Sequence, residues 1–311
     1  MKIQEKILLK DYSTFKIGGP AKYFVEAETL KDLKEASRWA DEKKEKFMIL
    51  GGGSNILFHD EGFNGLVIRL TNKKIKIENE DEVYCQAGLS LAELLTFSVK
   101  YKLTGLEWAA GIPGTVGGSI RGNAGAFGFE MKDVIKEVIY INLKTLEKEK
   151  CSNKECKFDY RQSVFKEFDH KIIWEIKFKL SLIKNDKDIK NKIAEIINQR
   201  KERHPCLAST GSAGSIFKNP TVGDEIIKIF EKEKGVKCKS SQVPAGWLID
   251  MCELKGMRMG GSKVSEKQAN FIVNDQNGSA NDVITLISLI KQKVRNSFGV
   301  QLEEEVEIVS Y

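Results

Sequence analysis

The sequence predicts an α+β protein built in at least two parts, of which the first is rich in glycine loops. Runs in which apolar and polar residues alternate, typical of strands, are interspersed with segments in which apolar residues recur every three or four positions, typical of helices. Glycine is concentrated locally, since eight of the 24 positions from Gly105 to Gly128 are glycine, against 26 in all 311 residues. A polar stretch at Lys184–Asp188 marks the boundary between the parts.

In the first part, strands and helices alternate. A helix is predicted from Thr29 and a second from Ser90, which forms a capping box with Glu93. The predicted strands are Ala21–Glu26, Lys46–Leu50, Ile56–Phe58, Leu66–Leu70, Val83–Ala87, Val134–Leu143 and Lys171–Leu180. The last of these alternates cleanly between apolar and polar residues.

The second part mixes helices with strands. The first helix carries Ile189, Ile193, Ile196 and Ile197 on one side. Further helices are predicted at Asp224–Lys232, Ala245–Met251 and from Asn281 to Gly299, with strands at Asn270–Val273 and Val300–Ile308. The last strand is predicted despite its three adjacent glutamates.

Composition restricts the possible functions. No apolar run approaches the roughly 20 residues of a membrane span, and the N-terminus lacks a signal-peptide pattern, so we expect a cytoplasmic protein. The six scattered cysteines predict reduced thiols, and the three histidines share no motif, so no metal site is expected. The net charge of +6 is spread without a basic block, which favours anionic small molecules over nucleic acid.

The glycine stretches are the strongest functional signal. Glycine lets backbone N–H groups approach a ligand closely, and successive amides form concavities that bind anions. Gly105–Gly128 is also apolar, which suits a cofactor with phosphates and a flat ring; a strand runs into a second such loop at Gly51–Asn55. The alternative is a set of tight turns. Neither the P-loop pattern nor GxGxxG occurs.

Three single residues are ambiguous when each is taken alone. Ser215 is either a turn hydroxyl or a proton donor, since no histidine stands near it in a hydrolase pattern. Arg161 is either a carboxylate-binding fork or part of a surface ion pair. Glu305 is either a solvated acid or a site residue, and alternation places it on one face with Glu303.

Eight motifs in register, from Tyr12 to Ile308, carry a resemblance to a known family. They are FKIGGP, ILGGGSN, GIPGTVGGSIRGNAGAFG, YRQSVF, AGSIFKNP, AGWLID, GGSKVSEKQANFIVN and LEEEV. This succession resembles the UDP-N-acetylenolpyruvoylglucosamine reductase (UDP-N-acetylmuramate dehydrogenase) family of peptidoglycan precursor synthesis. The resemblance implies a two-lobed FAD-binding domain of the vanillyl-alcohol-oxidase (PCMH) type at 1–184, with lobes at about 1–72 and 73–184. An α+β substrate-binding domain would follow at 185–311, with its C-terminal strand returning to the active site.

The resemblance also implies the ligands and their contacts. FAD would be bound and NADPH would be the co-substrate. The implied FAD contacts are Gly51, Gly52, Gly53, Ser54, Asn55, Gly114, Thr115, Val116, Gly117 and Gly118 at the pyrophosphate, and Asn123, Ala124 and Gly125 near the flavin ring. The UDP-sugar would be held by Tyr160, Lys218 and Asn219.

The implied chemistry is hydride delivery to C3 of an enolpyruvyl ether, followed by protonation at C2. Arg161 and a protonated Glu305 would stabilise the developing charge, and Ser215 would donate the proton. The chain departs from the family pattern at Gln268, where histidine is common, and at Arg121–Gly122.

The short segment between Tyr160 and the helix near Ile189 resembles the family branch that lacks an extra tyrosine loop. We expect a monomer that binds no nucleic acid and does not insert into membranes. Two rival functions remain: another flavoprotein of the same FAD fold, such as an oxidase, and a non-catalytic protein that binds a nucleotide sugar. A residue that tethers the flavin would favour the oxidase, and His59 is the only close candidate.

Overall fold

A computed structural model describes residues 1–183, 186–206, 209–238 and 241–309. The chain forms two compact units. The first comprises Met1–Ile7, Ala21–Gly52 and Asn64–Arg200, and the second comprises Leu8–Pro20, Gly53–Phe63 and Lys201–Tyr311. Residues 184 and 185, within the boundary expected at Lys184–Asp188, lie outside the described residues. The division into domains at 184/185 therefore stays a prediction.

The helices and strands have the following bounds. The strands are β1 (Gln4–Leu8), β2 (Pro20–Ala27), β3 (Phe47–Leu50), β4 (Ile56–Phe58), β5 (Phe63–Leu70), β6 (Ile75–Asn79), β7 (Glu82–Gln86), β8 (Leu103–Thr104), β9 (Gly125–Ala126), β10 (Phe129–Glu130), β11 (Ile135–Asn142), β12 (Glu147–Ser152), β13 (Lys171–Lys179), β14 (Ser181–Leu182), β15 (Arg258–Met259), β16 (Ser262–Val264), β17 (Ile272–Asn274) and β18 (Glu307–Val309). The helices are α1 (Leu30–Lys43), α2 (Leu91–Lys100), α3 (Val116–Arg121), α4 (Val164–Glu167), α5 (Asp186–Arg203), α6 (Asp224–Lys234), α7 (Ala245–Met251) and α8 (Ala280–Phe298).

The first unit contains two larger sheets. One has the strand order β1-β2-β5-β3, with β3 parallel to β5; the other is antiparallel in the order β12-β11-β13-β7-β6. Residues in β13 were expected to alternate between buried and exposed, yet Ile173 and Glu175 are buried as well as Trp174. Ile173 and Trp174 belong to the core of the first unit, and Glu175 pairs with Lys148 at 2.8 Å.

The second unit has its own core, which includes Phe217, Leu248 and Ile287. It contains the three-stranded sheet β15-β16-β17, and β18 pairs in parallel with β4. The helix predicted from Asn281 to Gly299 is confirmed as α8. It begins after the Ser279 cap and ends before Gly299, which has φ +68°. Its predicted apolar face, made of Val283, Leu286, Ile287, Ile290 and Val294, is buried.

The strand predicted at Val300–Ile308 is largely wrong, since only Glu307–Val309 forms a strand. In the preceding stretch, Leu302 and Val306 are buried, but the chain makes only an isolated bridge between Glu304 and Phe217. Apolar residues alone do not make a ladder when the partner segment is short. None of the six cysteines forms a disulfide among the described residues, and their reduced state stays a prediction. Among the described helices, none has the length and apolar character needed to cross a membrane.

Candidate active site

Two glycine loops meet backbone to backbone where β3 ends in the first unit. A Cβ added to Gly52 would lie 2.7 Å from the Cα of Gly114, and one added to Gly51 would lie 2.6 Å from Oγ1 of Thr115. The neighbour of Gly52 is backbone, so this position requires glycine, whereas a side chain at Gly51 would have to displace the Thr115 hydroxyl. Gly114 has φ +113°, a conformation that L side chains rarely adopt. We call this close approach the glycine cradle (Gly51, Gly52, Gly114 and Thr115).

The amides around the glycine cradle differ in their hydrogen bonding. Those of Val116 and Gly117 donate to the carbonyls of Leu89 and Ala87 at 2.8 and 2.9 Å, which anchors the start of α3. Within the described residues, no group accepts a hydrogen bond from the amides of Gly51, Gly52, Gly114 or Thr115. Unpaired amides gathered where side chains are excluded form a site that suits an anion such as phosphate.

Asn123 fixes the loop that follows α3. Its side chain is fully buried; Nδ2 donates to Glu130 Oε2 at 3.1 Å and to the Asp159 carbonyl at 3.0 Å, and Oδ1 accepts from the Lys132 amide at 3.1 Å. Glu130 in turn raises the pKa of Lys132 through their side-chain hydrogen bond. Because these contacts occupy its amide group, Asn123 holds the loop in place.

Arg161 is held in a strained turn beside that loop. The backbone of Asp159 and Gln162 exchanges two hydrogen bonds, at 3.0 and 3.1 Å, which forces the two residues between them into a tight turn. Arg161 has φ +56°, a left-handed conformation that costs an L residue roughly 1–2 kcal/mol. Its Nη2 donates to the Gly125 carbonyl at 3.2 Å, and its guanidinium lies 5.0 Å from the Tyr160 ring centroid. The first unit therefore brings Tyr160, Arg161 and Gly125 together.

Ser215 lies in the second unit on an extended segment that two neighbours hold. The segment pairs with Phe271 at Ser215, and the Ile216 amide donates to the Asn270 carbonyl at 2.8 Å. The Asn270 side chain also binds both backbone groups of Phe217. Its Oδ1 accepts from the Phe217 amide at 3.0 Å, and its Nδ2 donates to the Phe217 carbonyl at 2.8 Å. Ser215 itself is half-buried. Its backbone is thus positioned by several hydrogen bonds that do not involve the hydroxyl.

Glu305 lies on the other side of the same segment. Its amide donates to the Ile216 carbonyl at 2.7 Å, and its own carbonyl accepts from Asn55 Nδ2 at 3.0 Å. The second unit therefore brings Asn55, Ser215 and Glu305 into one neighbourhood, although about 90 or more residues separate each from the next along the chain.

The carboxylates of the two neighbouring residues, Glu303 and Glu304, each pair with a lysine. Glu304 accepts from Lys291 at 2.8 and 3.1 Å, and Glu303 pairs with Lys218 at 3.3 Å. The Glu303 side chain is 74% exposed, so its pair with Lys218 is weak, and another anion can take the place of Glu303.

Asn219 accepts from the Ala245 amide at 3.1 Å and so fixes the start of α7.

The predicted site residues divide between the two units. The first contains Gly51, Gly52, Gly114, Thr115, Val116, Gly117, Gly118, Asn123, Ala124, Gly125, Tyr160 and Arg161; the second contains Gly53, Ser54, Asn55, Ser215, Lys218, Asn219 and Glu305. Sequence reasoning missed Asn270, although its motif was recognised. It also missed Arg200, where burial lowers the pKa of the guanidinium. Nothing in the local pattern distinguishes Arg200 from the other cations of the polar end of α5.

Comparisons with known proteins give two family models that match different parts of this chain. A family model described as FAD binding domain matches residues 21–144, and another described as UDP-N-acetylenolpyruvoylglucosamine reductase, C-terminal domain, matches residues 204–309. A reductase of that name from Carboxydothermus hydrogenoformans is 39% identical over 303 residues, covering 97% of this chain and 92% of the relative. The chain belongs to the UDP-N-acetylenolpyruvoylglucosamine reductase family.

Other relatives extend the likeness over the whole fold. The Syntrophomonas wolfei reductase is 36% identical over 308 residues, covering 97% of this chain and 93% of its own. The crystal structure of UDP-N-acetylenolpyruvylglucosamine reductase from Thermus caldophilus matches with a TM-score of 0.78 and 31% identity, covering 100% of both chains. The expected family, and the expected fold of an FAD-binding domain of the PCMH type followed by a family-specific α+β domain, are confirmed.

Proposed function

We propose that this protein reduces UDP-N-acetylenolpyruvoylglucosamine to UDP-N-acetylmuramate with NADPH, using FAD, in peptidoglycan precursor synthesis. The family likeness over the whole chain supports this reaction. The single structural observation that carries it is the glycine cradle, where Gly52 lies too close to Gly114 for a Cβ and the four amides have no acceptor among the described residues.

The residues of the first unit fit FAD. Gly51, Gly52, Gly114 and Thr115 present amides that no described residue accepts from, as a pyrophosphate requires. Gly53–Asn55 and Val116–Gly118 continue the same two loops, and Asn123–Gly125 would line the flavin ring. When bound, FAD would supply hydride-transfer chemistry between NADPH and C3 of the enolpyruvyl group. Every other role falls to side chains of the protein.

Negative charge develops at C2 of the substrate and spreads into its carboxylate. Arg161 is suited to meet it, because its guanidinium is fixed before the reaction by the Gly125 carbonyl and the strained turn. Glu305, as a protonated acid, donates a hydrogen bond to the same charge. Ser215 then gives its proton to C2; a hydroxyl is a weak acid, but a carbanionic carbon is a base strong enough to take the proton.

The UDP-sugar is held by Tyr160, Lys218 and Asn219. Among the described residues, the Lys218 ammonium pairs only with the exposed Glu303, so a diphosphate can replace that partner at small cost. Asn219 is fixed at the start of α7 and contributes a rigid polar position. The segment between Tyr160 and α5 contains α4, β13 and β14, which is consistent with the branch that lacks the tyrosine loop.

The functional division of the chain follows from these roles. We assign FAD binding to 1–184, in lobes of about 1–72 and 73–184, and substrate binding to 185–311, with the C-terminal strand returning to the active site. The protein is proposed to act as a cytoplasmic monomer.

Purification and steady-state assays test this function. The protein is expected to be yellow and to release FAD on denaturation, and NADPH oxidation is expected to depend on the enolpyruvyl UDP-sugar. UDP-N-acetylglucosamine, which lacks the enolpyruvyl group, is the control and should not support oxidation. Colourless protein that FAD cannot reconstitute, or NADPH oxidation that is indifferent to the enolpyruvyl group, would overturn the proposal.

A further inference from the structure

Arg200, near the end of α5, is held against the central glycine segment of the first unit. Its Nη2 donates to the Trp108 carbonyl at 3.2 Å, and its guanidinium carbon lies 5.3 Å from the centroid of the Phe127 ring. A Cβ added to Gly111 would lie 3.0 Å from Arg200 Cδ. Three separate points of Gly105–Gly128 therefore contact this one side chain.

The charge of Arg200 has no counter-charge in the part of the chain that the structure describes. No described carboxylate lies within 4.0 Å of the guanidinium, and Nε is buried without a hydrogen-bond partner. The residue as a whole is half-buried, so the rest of the guanidinium keeps some access. A partly desolvated cation without a counter-ion is costly, and an unsatisfied buried donor is rare in native proteins.

Lys192 shows that the arrangement at Arg200 is not general for α5. Phe127 lies in the turn between the paired strands β9 and β10, and Lys192 stands over the ring of Phe129 in β10, 5.6 Å from its centroid. Unlike Arg200, it has a carboxylate partner, since its Nζ lies 3.8 Å from Glu107 Oε2. The two cations thus differ mainly in whether the protein itself supplies the opposite charge.

We propose that Arg200 binds a phosphate group of one of the enzyme's own ligands. A guanidinium fork matches phosphate oxygens, and the half-exposed Phe127 ring covers one face of it and fixes its plane. This inference rests on the proposed function, because FAD, NADPH and the UDP-sugar each carry a diphosphate. All three share the chemistry that Arg200 recognises, and binding measurements separate them.

The test compares each diphosphate ligand with a counterpart that lacks phosphate. The pairs are FAD and riboflavin with apoprotein, and UDP and uridine, or NADPH and dihydronicotinamide riboside, with holoprotein. Arg200→Met removes the charge but keeps a stem that packs on Gly111, Arg200→Lys keeps the charge, and Lys192→Met is the matched control. Arg200→Met is expected to lose at least tenfold in affinity for one phosphate ligand, with its counterpart within twofold of wild type. Arg200→Lys should lose less, and Lys192→Met should change neither.

The ligand that loses affinity identifies the source of the phosphate. If all three affinity ratios in Arg200→Met stay within twofold of wild type, or if the phosphate-free counterpart weakens equally, the inference is overturned. Turnover and flavin content of the wild-type protein report separately on the proposed function, so the two failures are distinguishable.

A measurement on the wild-type protein covers the case in which Arg200→Met does not fold. The holoprotein and the apoprotein are treated with phenylglyoxal, alone and with UDP, NADPH or inorganic pyrophosphate, and the modified arginines are read by mass spectrometry. Arg200 should be protected by FAD or by one of the added ligands. Arg69, which pairs with Glu26 at 2.8 Å, is the control and should react equally throughout. Equal modification of Arg200 under every condition would refute its role.

Discussion

Gly52→Ala tests the glycine cradle directly. The added methyl would lie 2.7 Å from Gly114 Cα and 3.3 Å from the Thr115 amide nitrogen, both of them backbone atoms that cannot rotate away. Ordinary contact begins near 3.4 Å, so the two loops must separate by about 0.7 Å, a repacking that costs about 1–3 kcal/mol. If that separation also spoils the amide site, FAD affinity falls by about 5- to 150-fold.

Two assays measure these effects. Urea unfolding of the apoprotein gives the free energy of unfolding, and flavin fluorescence quenching gives the FAD dissociation constant. Gly122→Ala is the matched control, because a Cβ there meets only the Gly118 carbonyl at 3.9 Å, and it should stay within about 0.5 kcal/mol of wild type. A Gly52→Ala protein with wild-type stability and FAD affinity would show that the glycine cradle tolerates a side chain at this position.

The remaining predictions concern charge. Arg161→Ala should slow reoxidation of the reduced flavin by the UDP-sugar while leaving reduction by NADPH near wild type; a defect confined to the NADPH step in anaerobic stopped-flow would contradict its assignment. Glu305→Gln should slow the same reoxidation, whereas Glu303→Gln, which removes a carboxylate that is mostly exposed, should not. The pKa of Asp282 lies below its usual value, chiefly because its carboxylate accepts a hydrogen bond from the Ser279 amide. Because the folded-state pKa is lowered, Asp282 stabilises the fold above its unfolded pKa of about 3.9, and this contribution disappears as pH falls through the folded pKa. Urea unfolding from pH 7 to pH 3 should show a smaller loss of stability in Asp282→Asn than in wild type, and parallel curves would remove this contribution.

Local signals predicted the elements whose ends are determined by nearby residues. The capping box of Ser90 and Glu93 and the stop at Gly299 are short-range hydrogen bonds and backbone preferences, so the sequence pattern contains them. The predicted strand at Val300–Ile308 failed because pairing depends on a distant partner, here Ile216 and its neighbours. Periodicity cannot identify such a partner.

The candidate site shows the same division between local and distant information. Glycine content indicated an anion site, but the contact of Gly52 with Gly114 requires the fold. The adjacency of Ser215 and Glu305 depends on several backbone hydrogen bonds between segments that lie about 90 residues apart, and only the family resemblance pointed to it. Arg200 was missed because its significance is the absence of a counter-charge among the described residues, which no sequence pattern reveals.

Anaerobic stopped-flow with Ser215→Ala tests whether Ser215 is the proton donor to C2. NADPH should reduce the bound flavin at the wild-type rate, and reoxidation by UDP-N-acetylenolpyruvoylglucosamine should be slower by about 100-fold or more, because the proton donor to C2 is missing. Ser288→Ala, which removes a hydroxyl bonded within α8, is the control and should behave as wild type in both steps. Reoxidation of Ser215→Ala at the wild-type rate would contradict the account.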